Sequence, residues 1–301
     1  MDNGNIVEVD GIVKSYDGMT AVDNISFSIP TGTISGLLGP NGAGKTTTIR
    51  MLMRILIPDS GRITVFGESL ERVEKTRIGY LPEERGLYKK MKVADLLTFF
   101  GEVRRMGRKA ARAGALRWLE RVELSDCAEK KVEELSKGMQ QKVQFIATVL
   151  HEPDLLILDE PFAGLDPVNT NLLKDIILEY HHKGHTVIFS THMMEQVEKL
   201  CDNISLINKG RIILSGTIDS VKGEYGLDGV TLKFEGDGSF LAGLDAVASY
   251  NDYGNEVFLR LNPGADAAAV LDAARARLVV KKFEIAAPSI HDIFIEKVSA
   301  K

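Results

Sequence analysis

Cysteine is almost absent. The 301 residues carry only Cys127 and Cys201, and no C-x-x-C occurs, which argues against both a disulfide framework and a structural zinc site and fits a reducing compartment. Both cysteines are read as packing residues. Long apolar runs are missing as well: no stretch approaches the ~18 residues a membrane span needs. The start, Met1-Asp2-Asn3-Gly4-Asn5, has neither a basic nor an apolar region of the kind that targets a chain for export, so a cytosolic location is expected. No charge of one sign dominates. With 37 Lys and Arg against 42 Asp and Glu, a net charge of −5 gives no general attraction to nucleic acid. His181, His182 and His185 resemble a metal cluster only superficially, because a Lys and a Gly stand among them at an expected helix end. Asn208-Lys209-Gly210-Arg211 lacks the Asp that an Asn-Lys-x-Asp guanine motif requires.

What is present is enough apolar material, 44% of residues, to bury a sizeable core, and a length that predicts two domains. The chain is organised around Gly39-Pro40-Asn41-Gly42-Ala43-Gly44-Lys45-Thr46-Thr47, a full match to G-x-x-x-x-G-K-[ST]. Ile34, Leu37 and Leu38 read as the end of a buried strand and residues 46–56 as a helix, which is the context this loop requires. Three glycines and Ala43 let the main chain wrap closely with its N–H groups inward, and the helix adds its positive end. A polyphosphate would be held mainly by backbone, with Lys45 reaching the β- and γ-phosphates and the Thr46 hydroxyl placed for Mg2+.

Before the loop, Ile6, Val7, Val9, Ile12, Val22 and the run from Ile25 to Ile29 alternate as short β-strands around an Asp17-Gly18 turn, so an antiparallel β-layer is expected first. Tyr16 lies in it, readable as a stacking surface for a base or as a half-buried strand tyrosine. After the loop come a strand over 61–66 and a strand leaving Ile78-Gly79-Tyr80-Leu81-Pro82 for an exposed, charged loop. A helical insertion follows at about 91–150. Its basic run Arg104-Arg105-Met106-Gly107-Arg108-Lys109-Ala110-Ala111-Arg112 reads either as a solvated helix face or as a surface for anionic lipid. Ser136 is a good N-cap for a helix carrying Val143, Ile146, Ala147 and Leu150. Leu155-Leu156-Ile157-Leu158-Asp159-Glu160 reads as a buried parallel strand with acids at its carboxyl end, where open α/β sheets bind ligands. Asp159 is placed to hold Mg2+, directly or through water, and Glu160 to orient and deprotonate an attacking water. Thr186-Val187-Ile188-Phe189-Ser190-Thr191-His192 repeats the arrangement, with His192 able to donate to a terminal phosphate.

Over about residues 5–220 these motifs, in this order, resemble the nucleotide-binding subunits of ABC transporters. The resemblance implies an ATPase needing ATP and Mg2+. Tyr16 is similar to the adenine-stacking aromatic and Gly39 to Thr47 to the Walker A loop; Leu135-Ser136-Lys137-Gly138-Met139-Gln140 looks like the signature motif. The run ending in Asp159 and Glu160 looks like Walker B, Gly164-Leu165-Asp166 like the D-loop, and His192 like the switch histidine. It further implies a head-to-tail pair of ATPase subunits, in which Ser136 and Gly138 of one close on the γ-phosphate held by Lys45 of the other. A separate membrane permease would place the chain peripherally on the inner face of the membrane. Glu83 stands where most members have glutamine; it keeps the capacity to bind Mg2+ or orient water and adds a negative charge. Lys137 and Met139 replace the usual Gly and Gln of the signature. A soluble ABC protein of translation or DNA repair would call for two cassettes in one chain, a long coiled coil or a zinc module, and none is visible.

Residues 221–301 are expected to form a separate small α+β domain, with strands over 230–234, 257–261 and 279–285 and helices over 266–277 and 290–298. No chemical motif occurs there. Its end, Pro288-Ser289-Ile290-His291-Asp292-Ile293-Phe294, resembles the C-terminal domain on ATPase subunits of drug- and sodium-extruding ABC exporters, and that resemblance alone favours export.

Overall fold

The structure, a computed structural model, describes residues 4–84, 86–224 and 229–299; residues 1–3 and Arg85, on which parts of the sequence reading fall, lie outside the described residues. The chain divides into two compact units. One comprises Met1–Met193 and Leu200–Ser215, the other Met194–Lys199 and Gly216–Lys301. The division falls a few residues before the expected break at 220.

In the first unit β1 (Asn5–Tyr16) and β2 (Met19–Pro30) form an antiparallel hairpin. Its turn, Asp17-Gly18, has positive φ at both residues (45° and 84°), which matches the right-handed twist of the strands. Next come β3 (Ile34–Leu38), α1 (Lys45–Leu52), β4 (Ser60–Val65) and β5 (Glu68–Ser69). β4 and β5 complete a four-stranded sheet in the order β2-β1-β4-β5, the antiparallel layer the sequence predicts. β6 (Ile78–Leu81) then leads into α2 (Val93–Val103), α3 (Arg108–Arg121) and α4 (Lys137–Val149), the helical insertion. The unit continues through β7 (Leu155–Asp159), α5 (Pro167–His182) and β8 (Thr186–Thr191). After α6 (Met194–Leu200) come β9 (Asn203–Asn208) and β10 (Arg211–Thr217).

A second sheet has the order β10-β9-β3-β8-β7-β6, in which β9, β3, β8, β7 and β6 run parallel to one another. Every residue of β3, β7 and β8 is buried, because parallel strands are covered on both faces. One core joins the layers: Val7, Ile12, Val22 and Ile25 of the antiparallel sheet, Ile49, Met51 and Leu52 of α1, and Leu37, Ile157 and Ile188 of the parallel sheet. Each such side chain contributes about 1.5–3 kcal/mol by leaving water. The carboxyl ends of β3, β7 and β8 are thereby neighbours, with Leu38 opposite Thr191 and Asp159 opposite Ser190.

The basic run is largely tied to the chain itself. Arg104 donates to the Lys75 carbonyl (2.6 Å), Arg105 pairs with Glu74 (2.5 Å) and Arg112 with Asp95 (2.9 Å), so two of these cations tie the insertion to the segment before β6 and the third joins α3 to α2.

The second unit contains α7 (Ile218–Gly223), β11 (Gly229–Glu235), β12 (Val247–Asp252), β13 (Glu256–Leu261), α8 (Ala267–Arg275), β14 (Val279–Ala286) and α9 (Ile290–Ser299). Its antiparallel sheet, β12-β13-β11-β14, shares a core with α8 through Val230, Leu232, Val257, Leu259, Val270 and Ala274. Asp292 is buried with both oxygens bonded: Oδ1 accepts from Tyr253 and Asn251, and Oδ2 from the Ser289 backbone and hydroxyl, which fixes the start of α9. Residues 194–199 belong to this unit, where Glu198 accepts from the Ile290 N–H (2.5 Å) and pairs with Lys222 (3.2 Å). Four strands were not anticipated, the two-residue β5 among them. β10 and β12 are half-exposed edges with little apolar contrast, and β9 is bounded by two asparagines.

Candidate functional site

The site is assembled where the chain leaves β3, β7 and β8. After β3, the backbone turns through Gly39, Gly42 and Gly44, all at positive φ. Two of these glycines are required by space as well as by conformation. A Cβ on Gly39 would lie 2.1 Å from the Ile207 carbonyl oxygen, and one on Gly44 2.6 Å from that of Ala21. The loop is further pinned to the β9–β10 turn, whose Gly210 N–H donates to the Ala43 carbonyl (2.9 Å). α1 begins at Lys45, directly behind it.

Lys45 is buried and curls back over its own loop. Its Nζ donates to the carbonyls of Gly39 (2.8 Å) and Pro40 (3.2 Å) and lies 3.5 Å from Glu160 Oε1. With both partners under a tenth exposed, 6% and 8%, the ion pair sits where a charge without a counter-charge would be costly. A pocket of about 410 Å³ opens over this loop, lined by Tyr16, Ala21, residues 41–47, Glu83 and Glu160.

Asp159 closes β7. Its Oδ1 accepts from Ser190 Oγ (2.5 Å) and from Thr46 Oγ1 (3.3 Å), while Oδ2 is buried without a protein partner. Burial pushes the Asp159 carboxyl above the usual range, against the pull of the Ser190 and Thr46 hydroxyls. An orphaned carboxylate oxygen beside a threonine hydroxyl is a hard, all-oxygen donor set that suits Mg2+. Among the described residues no group of three or more His, Cys, Asp or Glu forms a metal cage; Mg2+ ordinarily completes its shell with phosphate and water.

Glu160 turns away from the strand in the left-handed region, at φ 48°. Ser190 Oγ accepts its N–H (3.0 Å), so one hydroxyl holds both acids. His192 is half exposed, with Nδ1 3.1 Å from each Glu160 oxygen; it faces the glutamate across the end of the neighbouring strand. Glu83 is exposed and lines both the large pocket and a small cavity of about 30 Å³ bounded also by Gln141, Gln144, Asp159 and Glu160. Its loop is clasped by Gln144, which donates to the carbonyls of Pro82 (3.1 Å) and Glu84 (3.2 Å).

Tyr16, Gly42, Ala43, Gly44, Lys45, Thr46, Thr47, Asn41, Glu83 and Glu160 are therefore brought to one pocket, with Gly39 and Pro40 under Lys45, and Asp159 and His192 bonded to its lining. Ser136, Gly138 and Asp166 do not line it. Ser136 caps α4 by accepting from the Met139 N–H (3.3 Å), and the space beside Gly138 is open for 4 Å. Asp166 caps α5, accepting from the Asn169 backbone (3.0 Å) and side chain, which hold its carboxyl below the usual range. Sequence reasoning missed Ser190, Gln144 and Gln141. Ser190 was the findable one, a buried hydroxyl beside the polar tip of a strand with an apolar middle; its partner is fixed only by the β7–β8 register.

Residues 22–163 match the family described as ABC transporter, and residues 216–298 match the ATP-binding protein DrrA1-3-like C-terminal domain. The chain is 41% identical to the uncharacterized ABC transporter ATP-binding protein YhaQ of Bacillus subtilis (strain 168), over 98% of this chain and 99% of that one. It is 37% identical to the linearmycin resistance ATP-binding protein LnrL of the same organism, over 82% and 81%. Identity is 38% to the daunorubicin resistance ATP-binding protein DrrA3 of Streptomyces coeruleorubidus, over 74% and 71%. Among solved structures, an ATP binding subunit of an ABC transporter superposes with a TM-score of 0.69 at 28% identity, covering 73% of this chain and 93% of that one. Phosphate loop, paired acids and matched sequence agree: the chain belongs to the ATP-binding, ATP-hydrolysing subunits of ABC transporters.

Proposed function

We propose that the chain hydrolyses ATP between two head-to-tail copies, or between itself and a paired ATPase subunit, and so drives a separate membrane permease, in the direction of export. The observation that carries the catalytic part is the placement of Glu160, 3.5 Å from Lys45 Nζ and 3.1 Å from His192 at the rim of the phosphate-loop pocket. In this reading the backbone of residues 39–47 and Lys45 hold the phosphates, and Tyr16, 42% exposed at the pocket edge, stacks on the adenine. Glu160 takes the proton of the attacking water, His192 orients the glutamate, and Glu83, which lines the same pocket, places the water. Thr46 and Asp159, with Glu83, would hold Mg2+, which when bound neutralises charge developing on the phosphates.

Ser136, Gly138 and Asp166 lie outside this pocket, which favours their serving the nucleotide of a second ATPase subunit. The permease would dock on residues 83–91 and the adjoining helices, where Tyr88 is 55% exposed and packs edge-on to Phe99 (5.9 Å). Such docking would hold the chain on the inner face of the membrane; no helix among the described residues is long and apolar enough to cross it. Export is supported by relatives named for linearmycin and daunorubicin resistance and by the DrrA-like C-terminal domain.

Lys45→Ala tests the assignment. It removes the one side-chain cation directed at the phosphates, so ATP binding or turnover should fall by at least tenfold, measured by nucleotide titration and phosphate release. Wild-type activity in Lys45→Ala would overturn it.

A further inference from the structure

Glu160 holds a backbone conformation, φ 48°, that side-chain-bearing residues rarely adopt. Such a conformation persists only where the surroundings over-determine it. Three hydrogen bonds surround it. Ser190 Oγ accepts the Glu160 N–H (3.0 Å), the Glu160 carbonyl accepts from the Ala163 N–H (3.1 Å), and the carbonyl of the next residue, Pro161, accepts from Gln141 Nε2 (2.7 Å). The first comes from β8 and the second is internal to the turn. The third alone comes from α4, the helix that Ser136 caps.

Gln141 is 7% exposed, and its amide divides between two tasks. Nε2 holds the turn, whereas Oε1 is buried without a protein partner. The residue lines the cavity of about 30 Å³ that it shares with Glu83, Asp159 and Glu160, which has room for one water. A buried polar side chain costs stability unless its groups are used; nearby Lys142 donates to the Val122 carbonyl, and Gln144 Nε2 to those of Pro82 and Glu84. Because the Pro161 ring fixes its own φ, anchoring the Pro161 carbonyl leaves the Glu160 backbone little freedom.

We infer that Gln141 is a positioning residue for hydrolysis: through the Pro161 carbonyl it sets the Glu160 carboxylate, and it makes that setting depend on α4. The inference rests on the reading of Glu160 as the base. Displacing a reacting group by about 1 Å costs up to roughly 10²-fold in rate, so losing this anchor should lower kcat without loosening the nucleotide.

The test uses the full chain with Gln141→Met, which keeps length and volume but neither donates nor accepts, and with Gln141→Glu, which keeps an acceptor but loses the donor. Single-turnover hydrolysis, KM, ATP affinity and thermal midpoint are measured for each, alone and combined with Glu160→Gln. Both variants should lose about tenfold or more in kcat, with KM and ATP affinity within about twofold of wild type. Each double variant should be no slower than Glu160→Gln alone, since a residue that acts only through the glutamate has nothing left to position. A kcat within twofold of wild type for both variants, losses that multiply in the double variants, or loss of ATP affinity in step with kcat would overturn the proposal. A fully active Glu160→Gln would remove the base and this proposal together, whereas an inactive Glu160→Gln beside a fully active Gln141→Met would remove only the role of Gln141.

Discussion

Ser190 Oγ donates to Asp159 Oδ1 at 2.5 Å, across the β7–β8 register, and the same hydroxyl accepts the Glu160 N–H. One buried serine thus serves both Asp159, proposed to hold the metal, and Glu160, proposed to activate the water. Ser190→Ala leaves a buried N–H and a more strongly desolvated carboxylate, a cost of about 1–3 kcal/mol. It also takes away a hydrogen bond that holds the Asp159 carboxyl down, so that pKa rises further. Thermal unfolding should shift down by several degrees, and the Mg2+ concentration that half-saturates ATP hydrolysis should rise.

His151 lends the fold a pH dependence of its own. Burial, and after it the Arg104 charge, push the imidazole from 6.5 down to about 4. The unfolded chain therefore takes up a proton between pH 6.5 and 4 that the folded chain refuses. This residue's contribution is undiminished above about pH 6.5 and is lost as pH falls toward 4. Allowing for its partial exposure, the loss is about 2 kcal/mol. The difference in melting temperature between wild type and His151→Gln should change across that window and stay constant above it.

Tyr88 sits half exposed between Phe99 and Phe100, at ring distances of 5.9 and 6.3 Å, beside the loop that carries Glu83. Leu87→Ala and Tyr88→Ala should leave ATP affinity within about twofold of wild type and reduce recovery of a multi-span partner from detergent-solubilised membranes. Loss of nucleotide binding with the membrane complex intact would speak against docking there.

Much of the site is local in sequence and was legible there. Gly39 to Thr47 is one contiguous turn whose glycines are demanded by steric contacts, and Asp159-Glu160 follows four buried apolar residues. What the sequence did not reveal is pairing between distant segments. Gln144 and Gln141 read as ordinary helix residues until α4 is seen to face Pro82, Glu84 and Pro161. His192 reads as a phosphate ligand, yet its Nδ1 contact is with Glu160, a residue 32 positions away. Edge strands β10 and β12 escaped because exposure on both faces erases the alternation that marks a strand.

The central claim is that ATP binds between two ATPase subunits and that Glu160 cleaves it. Glu160→Gln removes general-base help worth roughly 10²–10⁴ in rate while keeping size, so ATP should bind and persist. The uncleaved nucleotide then joins Lys45 of one copy to Ser136 of the other and populates the closed pair. Size-exclusion chromatography with light scattering in MgATP measures this directly. Glu160→Gln should run as a dimer, and Glu160→Gln combined with Ser136→Arg as a monomer, because a bulky cation at the start of α4 blocks closure. A Glu160→Gln protein that binds ATP without cleaving it, yet stays monomeric at high protein and nucleotide concentration, would contradict the two-copy site.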